Sequence, residues 1–302
     1  MYWDQIAFEA VTATLVAAVP LYILWLWRRW SLLSSKDFHL TAATVLIVGW
    51  CFLVYGSFVE PRLLKTSNYE VKLGDTGREF TVAVVGDTHL GVYKGETWLK
   101  KVVERTNALQ PDVVLLNGDI VASAAGLKQL APLKDLRGKF GVFATLGNFE
   151  YRVGAVDARR AIESYGVEML TNESVALSLD GDRSIRLLGI DDIKYGRPDW
   201  DAVMSEVEPD SIKILASHNP DAVSAAENRG IDLVLSAHTH GGQVRLPFFG
   251  PLMLPTHIGR QFDRGLFAYG NTYLFITPGV GESGPRARLF CPPEISLVRI
   301  RY

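Results

Sequence analysis

An α/β fold, with two β-sheets packed face to face, helices flanking them and a transmembrane helical hairpin in front, is what this sequence predicts. Three observations predict it. Two charge-free apolar runs, Ala10 to Trp27 and Leu40 to Phe58, open the 302-residue chain. From Phe80 onward, short apolar runs of strand type alternate with stretches of helical apolar spacing. Later strand-like runs, Ser184 to Ile190, Thr272 to Thr277 and Ile295 to Ile300, have few helices between them.

Each N-terminal run is about long enough to cross a hydrocarbon core of roughly 30 Å. A signal peptide fits less well. Asp4 and Glu9 precede the first run with no basic residue, Arg28-Arg29-Trp30 follows it in place of a small-residue cleavage site, and a second span begins soon after. Tyr22, Trp25, Trp27, Trp30, Trp50 and Tyr55 suit an interfacial aromatic belt, with His39 beside it, and Pro20 should kink the first helix. Arg28, Arg29 and Lys36 lie between the spans, which favours a cytoplasmic connector and an external body in a multi-pass cell-membrane protein; Arg62 and Lys65 oppose this.

Residues 1–58 are thus expected to form the hairpin, with spans at about 10–27 and 40–58. Residues 59–78 should be a linker turning into a first strand, where Tyr69, Val71 and Leu73 alternate with polar neighbours, and 79–302 the catalytic body. Helices are expected over Glu96 to Leu109, Val156 to Tyr165 and Asp221 to Arg229, the last following Pro220 and stopping at Gly230. A net charge of −2 lacks the basic footprint of nucleic-acid binding. Cys51 and Cys291 give no sign of a structural disulfide, and the oligomeric state is open.

Five motifs follow apolar strand-like runs. Gly86-Asp87-Thr88-His89 follows Phe80 to Val85, Gly118-Asp119 follows Val113 to Leu116, and Gly147-Asn148-Phe149-Glu150 follows Val142 to Leu146. Ser217-His218 follows Ile212 to Leu215, and His238-Thr239-His240 follows Ile231 to Leu235. Four of the six histidines fall inside these motifs. Two hard-to-borderline divalent cations about 3.5 to 4 Å apart need roughly seven oxygen and nitrogen ligands, one a bridging carboxylate, and this set supplies them without a thiolate. Alone, an Asp after a strand is often a helix N-cap and Asn148 a turn residue; the ordered set outweighs those readings. If the motifs lie in extended strand ends, residues two apart point the same way, so Asp87 with His89, and His238 with His240, would each converge on one point.

From about Tyr69 to Tyr302 the ordered motifs resemble the calcineurin-like metallophosphoesterases, whose pattern is D-x-H, G-D, G-N-H-E/D, a lone His and G-H-x-H. Leu188-Gly189-Ile190-Asp191-Asp192, His238-Thr239-His240-Gly241-Gly242-Gln243 and Cys291-Pro292-Pro293-Glu294-Ile295 look like a membrane-associated bacterial branch of that family. The resemblance implies a four-layer metallophosphoesterase β-sandwich. It also implies two divalent metal ions, Mn²⁺ first with Fe or Zn²⁺ as alternatives, and hydrolysis of a phosphodiester or pyrophosphate. Asp87, His89, Asp119 and His240 would hold one metal; Asp119, Asn148, His218 and His238 the other, with Asp119 bridging. Asp87, Asp119, Asn148 and His218 would also be the catalytic set.

The chain departs from the pattern at Phe149, where the family has a histidine that contacts phosphate or donates a proton. General acid catalysis is worth about 10² to 10⁴ in rate, whereas a phosphate-type leaving group has a second pKa of about 6 and departs with little help. The UDP-2,3-diacylglucosamine hydrolases, a similar branch, also lack that histidine. The expected substrate is therefore a lipid-linked phosphate or pyrophosphate, met at the membrane. Rival readings are a metal-binding membrane receptor or assembly protein with weakened catalysis, and a protein phosphatase. Other candidates for the substrate site are Asn172-Glu173, Asp191-Asp192, His257, and Arg286 with Arg288 as a phosphate fork or an ion pair. Leu246-Pro247-Phe248-Phe249 and Leu252-Met253-Leu254 read either as a lipid-facing rim or as a buried loop.

Overall fold

The computed structural model describes residues 3–177 and 184–302. Helices α1 (Trp3–Arg29) and α2 (Lys36–Val54) are antiparallel neighbours, long and apolar enough to cross a membrane, and mostly exposed along their length. The Trp50 indole donates to the Val16 carbonyl at 3.1 Å, and the Tyr22 hydroxyl meets His39 Nδ1 at 3.4 Å, so His39 belongs to the seam between the helices. The helical path past α2 continues through one wide turn at Tyr55–Val59 and a tight one at Glu60–Arg62.

The body contains strands β1 (Lys65–Lys72), β2 (Glu79–Val85), β3 (Val113–Asn117), β4 (Val142–Thr145), β5 (Glu168–Met169), β6 (Glu173–Leu177) and β7 (Ile185–Gly189). Beyond them come β8 (Ile212–Ala216), β9 (Leu233–Ser236), β10 (Arg245–Leu246), β11 (Gly250–Pro251), β12 (Gly265–Tyr269), β13 (Thr272–Ile276) and β14 (Glu294–Arg301). Among the described residues they build one mixed sheet in the order β1-β14-β2-β3-β4-β5, another in the order β12-β13-β9-β8-β7-β6, and the small β10-β11 pair.

Period-two alternation explains the layering. Val82, Val84, Val113 and Leu115 on one sheet meet Ile212, Ile214, Leu233, Leu235 and Phe275 on the other. The intervening residues Ala83, Val85, Val114 and Leu116 face away, against Leu99 and Val103 of α3 (Glu96–Asn107). Ala158 and Ile162 of a further helix, which follows the six-residue α4 (Asn148–Val153) as α5 (Ala155–Glu163), cover the same face. Leu188, Leu215, Val234 and Ile276 turn outward to Val203 of α6 (Trp200–Met204) and to Val223 and Ala226 of α7 (Val223–Glu227). The result is helix, sheet, sheet, helix.

Two sequence expectations change. The helix expected over Asp221 to Arg229 is shorter, because Pro220–Ala222 forms a tight turn whose start the Asn219 side chain caps at the Asp221 N–H, 2.9 Å. Residues 59–78 hold the expected first strand, but it starts earlier than Tyr69, at Lys65, and leaves little linker. All eight residues of β1 pair in parallel with β14, and the buried Glu60 carboxylate accepts from the Phe290 and Cys291 N–H groups. A chain starting at Tyr69 would lose half of β1 and leave both N–H groups without acceptors, a penalty of about 1 to 3 kcal/mol each. It is expected to melt well below the whole protein in a thermal scan in detergent; equal melting temperatures would mean that this segment adds nothing to the body.

Candidate metal centre

The five motifs all emerge from the C-terminal ends of β2, β3, β4, β8 and β9, the edge where loops of an α/β sheet converge. They do not leave the strands extended. Asp87, His89, Asp119, His238 and His240 have φ of 53°, 49°, 49°, 67° and 51°, the left-handed region. The expectation that residues two apart aim at one point through strand alternation therefore holds for Asp87 and His89 only through a different backbone, and fails for His238 and His240. Asp87, His89 and His240 form one group of potential ligands, whereas Asp119, His218 and His238 form another.

Asp119 stands between the two groups. Its Oδ2 lies 3.3 Å from His218 Nε2 and 3.6 Å from His89 Nε2, while Oδ1 accepts from the Phe149 N–H at 2.7 Å. His89 and His240 stack with centroids 4.9 Å apart and bring their Nε2 atoms to 3.1 Å. His218 Nδ1 donates to the Asn117 carbonyl at 2.9 Å, which turns Nε2 toward Asp119 and toward His238 Nδ1, 3.2 Å away. Asp87 is oriented by the His238 N–H, which reaches both its oxygens at 3.1 and 3.2 Å. Asn148, at the start of α4, is buried with Oδ1 lacking a hydrogen-bond partner among the described residues.

This donor set fits a pair of divalent cations. A buried amide oxygen without a partner among the described residues, two carboxylates and four imidazoles with ring nitrogens brought close in pairs are oxygen and nitrogen donors facing a shared space. The charges agree. Burial pushes the Asp87 carboxyl up to about 7, with Asp119 adding to the effect and His218 opposing it. Burial would raise Asp119 too, but His218 and His89 hold it well below the usual carboxylate range. Burial lowers His89 to about 4 and His238 to about 3, whereas His218, despite its burial, is raised to about 10 by Asp119 and then Asp87. The acidic pair draws positive charge to this point.

Backbone proximity explains the glycines that precede the ligands. A Cβ on Gly147 would stand 2.4 Å from Asp119 Oδ1, and one on Gly118, at φ +70°, would stand 2.6 Å from His218 Nδ1. Glu150 is the part of its motif whose role the sequence left unread. Fully buried, it accepts from the N–H groups of Asp119, Val121 and Gly147 at 2.9, 3.0 and 2.8 Å, fastening two ligand loops to each other. A Glu at the third position of a helix, reaching back to the cap N–H, is the signal that marks it.

A cavity of about 400 Å³ opens over the groups, lined by Asp119, Asn148, His238 and His240 together with Phe149, Arg152, Lys194 and Met253. Phe149 packs edge-on against the His89 ring at 4.6 Å, and the Arg152 guanidinium lies over its other side at 4.6 Å. Spacing gave no sign of Arg152 or Lys194.

Several candidates lie elsewhere. Arg288 is fully buried and donates to the carbonyls of Pro278, Gly281 and Cys291, so it is scaffold, not a phosphate fork. Arg286 pairs with Glu9 of α1 at 3.1 Å. Asn172 accepts from the Asp191 and Asp199 N–H groups, Glu173 pairs with Arg159, and Asp191 accepts from the Tyr151 hydroxyl at 2.6 Å. Asp192 receives the Lys194 and Tyr195 N–H groups, and His257 is exposed with its N–H on Asp221. These five residues do not line the cavity.

One protein family, described as calcineurin-like phosphoesterase, matches residues 80–242. Among similar proteins, an uncharacterized metallophosphoesterase of Bacillus subtilis, YkuE, is 28% identical over 257 residues, 82% of this chain and 89% of its own. An uncharacterized metallophosphoesterase of Aquifex aeolicus is 31% identical over 260 residues, 81% of this chain and 95% of its own. A transmembrane protein with metallophosphoesterase domain from Bos taurus is 30% identical over 301 residues, 91% of this chain and 66% of its own. The similarity thus extends to a eukaryotic transmembrane protein and does not single out the bacterial branch.

Proposed function

This chain belongs to the calcineurin-like phosphoesterase family of metal-dependent phosphoester hydrolases, and on that premise we propose that it is a membrane-anchored, dinuclear phosphodiesterase or pyrophosphatase acting on a lipid-linked substrate such as UDP-2,3-diacylglucosamine. The observation that carries the reading is Asp119 Oδ2, within 3.6 Å of an imidazole from each ligand group, in the wall of a cavity that also holds two cationic side chains. Asp87, His89, Asp119 and His240 would hold one ion, and Asp119, Asn148, His218 and His238 the second, Mn²⁺ being the favoured metal. Two such ions, when bound, supply a lowered pKa for water and neutralise charge on phosphoryl oxygens.

The remaining chemistry belongs to the chain's own groups. Asp87, Asp119, Asn148 and His218 would form the catalytic set: Asp119 and Asn148 line the cavity, and Asp87 and His218 lie buried outside its lining. Arg152 and Lys194 attract an anionic phosphoryl group to the cavity and orient it, Arg152 through a planar fork held over Phe149. Phe149 carries no proton, so the leaving group must depart largely unaided, which supports a phosphoanhydride or another easily expelled group. The two apolar helices support anchoring; Arg28, Arg29 and Lys36 between them favour a body outside the cell, whereas Arg62, Lys65 and a nucleotide-linked substrate favour the cytoplasmic face.

Purified whole protein in detergent with Mn²⁺ is expected to turn over a nitrophenyl phosphodiester and a lipid pyrophosphate, and to stop when chelator is added. No turnover of either would sink the reading. Phe149→His should raise the rate on alkoxide leaving groups by less than the full ~10² to 10⁴ of an oriented general acid, and change little on nitrophenyl esters. Log rate plotted against leaving-group pKa decides it, and equal slopes for the two proteins would leave Phe149 a packing residue.

A further inference from the structure

The turn between β10 and β11 is an exposed apolar tip. Phe248 and Phe249 are 106% and 82% exposed, Met253 is 81% exposed, and Leu246 and Leu252 are exposed beside them. Phe248 sits at φ 68°, a strained conformation for a bulky residue, and Gly250 at φ 76° completes the turn. Solvent does not reward such a tip; contiguous exposed apolar surface marks a contact with something apolar.

The tip is continuous with the hairpin. Phe52 near the end of α2 meets the exposed Phe290 ring at 6.1 Å, and the neighbouring Leu289 exchanges backbone hydrogen bonds with Gln243 and Arg245, the residue that begins β10. Met253, Ser283 and Pro285 all line the cavity. Next to Pro285, Arg286 pairs with Glu9 on α1 at 3.1 Å and lies 5.0 Å from the Phe58 ring beyond α2. Because α1 and α2 are antiparallel, the start of one and the end of the other share a membrane face. Through Met253 beside the tip and Pro285 beside Arg286, the cavity lining thus adjoins segments that meet the hairpin at that face.

We infer that the turn bearing Phe248 and Phe249, with Leu252 and Met253, docks into the lipid surface beside the end of α2, so that the cavity mouth opens at the bilayer and an amphiphilic substrate reaches it from the membrane. The inference rests on the reading of α1 and α2 as membrane-embedded. Two phenylalanines at a turn insert as an interfacial wedge, and Met253, which is at once exposed and part of the cavity wall, joins the docking surface to the site.

The test uses the whole chain with Cys51→Ala and Phe249→Cys, carrying a nitroxide label, in phosphatidylcholine vesicles; Cys291 is buried and resists labelling. A label on Asp75→Cys, in the turn beyond the far end of β1, serves as reference. The label at 249 is expected to be relaxed more by oxygen than by a water-soluble nickel chelate, the reverse of the label at 75. Equal nickel accessibility at the two positions overturns the proposal, as does spin-spin broadening at 249 that persists in detergent, which would assign the tip to a second copy of the chain. In a second arm, Phe248→Ser with Phe249→Ser should lower hydrolysis of a vesicle-embedded phosphodiester about tenfold and leave a soluble nitrophenyl diester unaffected; an equal fall on both overturns the access route. If the protein hydrolyses neither substrate, the proposed function fails while the label still decides the docking.

Discussion

Asp119→Ala will abolish turnover and release more than one equivalent of metal per chain. Asp119 Oδ2 is within 3.6 Å of His89 and 3.3 Å of His218, one from each ligand group, so no other carboxylate in the centre can serve both cations from one atom. Its loss also strands the Phe149 N–H, which donates to Oδ1 at 2.7 Å and fixes the start of α4, where Asn148 stands. Removal of a single preorganised electrostatic group commonly lowers rate by about 10² to 10³, and a residue shared between two ions should exceed that. Metal analysis of the purified variant, with kcat on a nitrophenyl diester, checks the outcome. A variant that loses one equivalent and keeps substantial activity would show that the bridge lies elsewhere.

The second large effect is on stability. Glu150→Ala should destabilise the body by about 3 to 9 kcal/mol, because three buried N–H groups, those of Asp119, Val121 and Gly147, lose their acceptor together and each unsatisfied group costs about 1 to 3 kcal/mol. Glutamine should not rescue it: Oε2 serves two donors and Oε1 a third, so an amide nitrogen at either place meets an N–H group head-on. Urea unfolding in detergent gives the stability change, and metal content reports the coupled loosening of the Asp119 and Asn148 loops. A loss below about 1 kcal/mol would mean that water replaces the carboxylate at little cost.

What could be read from the residues, and what could not, divides by distance along the chain. Strands β2, β3, β8 and β9 are buried on both faces, so they appear as short uninterrupted apolar runs, and the chemistry-bearing motif after each is easy to find. The split of His238 from His240 was not open to spacing arguments, because left-handed φ values turn the chain inside a three-residue segment. The roles of Glu60 and Arg288 depend on partners supplied by the fold. Glu60 reaches Cys291 across 231 positions, whereas Arg288 finds its acceptors no more than ten positions away, at Pro278, Gly279, Gly281 and Cys291, in a loop whose path spacing does not show. Of the two readings the sequence leaves for Arg286, phosphate fork or ion pair, the ion pair with Glu9 is the one formed, and pattern shows a charge but not its neighbour. The apolar stretch at Leu246 to Leu254 reads from sequence either as rim or as buried loop, and exposure at Phe248, Phe249 and Met253 excludes the buried loop.

Five of the candidate ligands occupy backbone conformations that most residues avoid. Asp and His tolerate the left-handed region better than most, yet each such position still costs roughly 1 kcal/mol relative to glycine, or about 5 kcal/mol together. That is comparable to the entire net stability of a modest domain, about 5 to 15 kcal/mol. Selection for durability alone would replace these residues with glycine and yield a sturdier, inert body. The loops are therefore a place where fitness for chemistry and fitness for folding conflict, and stabilising changes found by screening the metal-free protein would concentrate where they extinguish its activity.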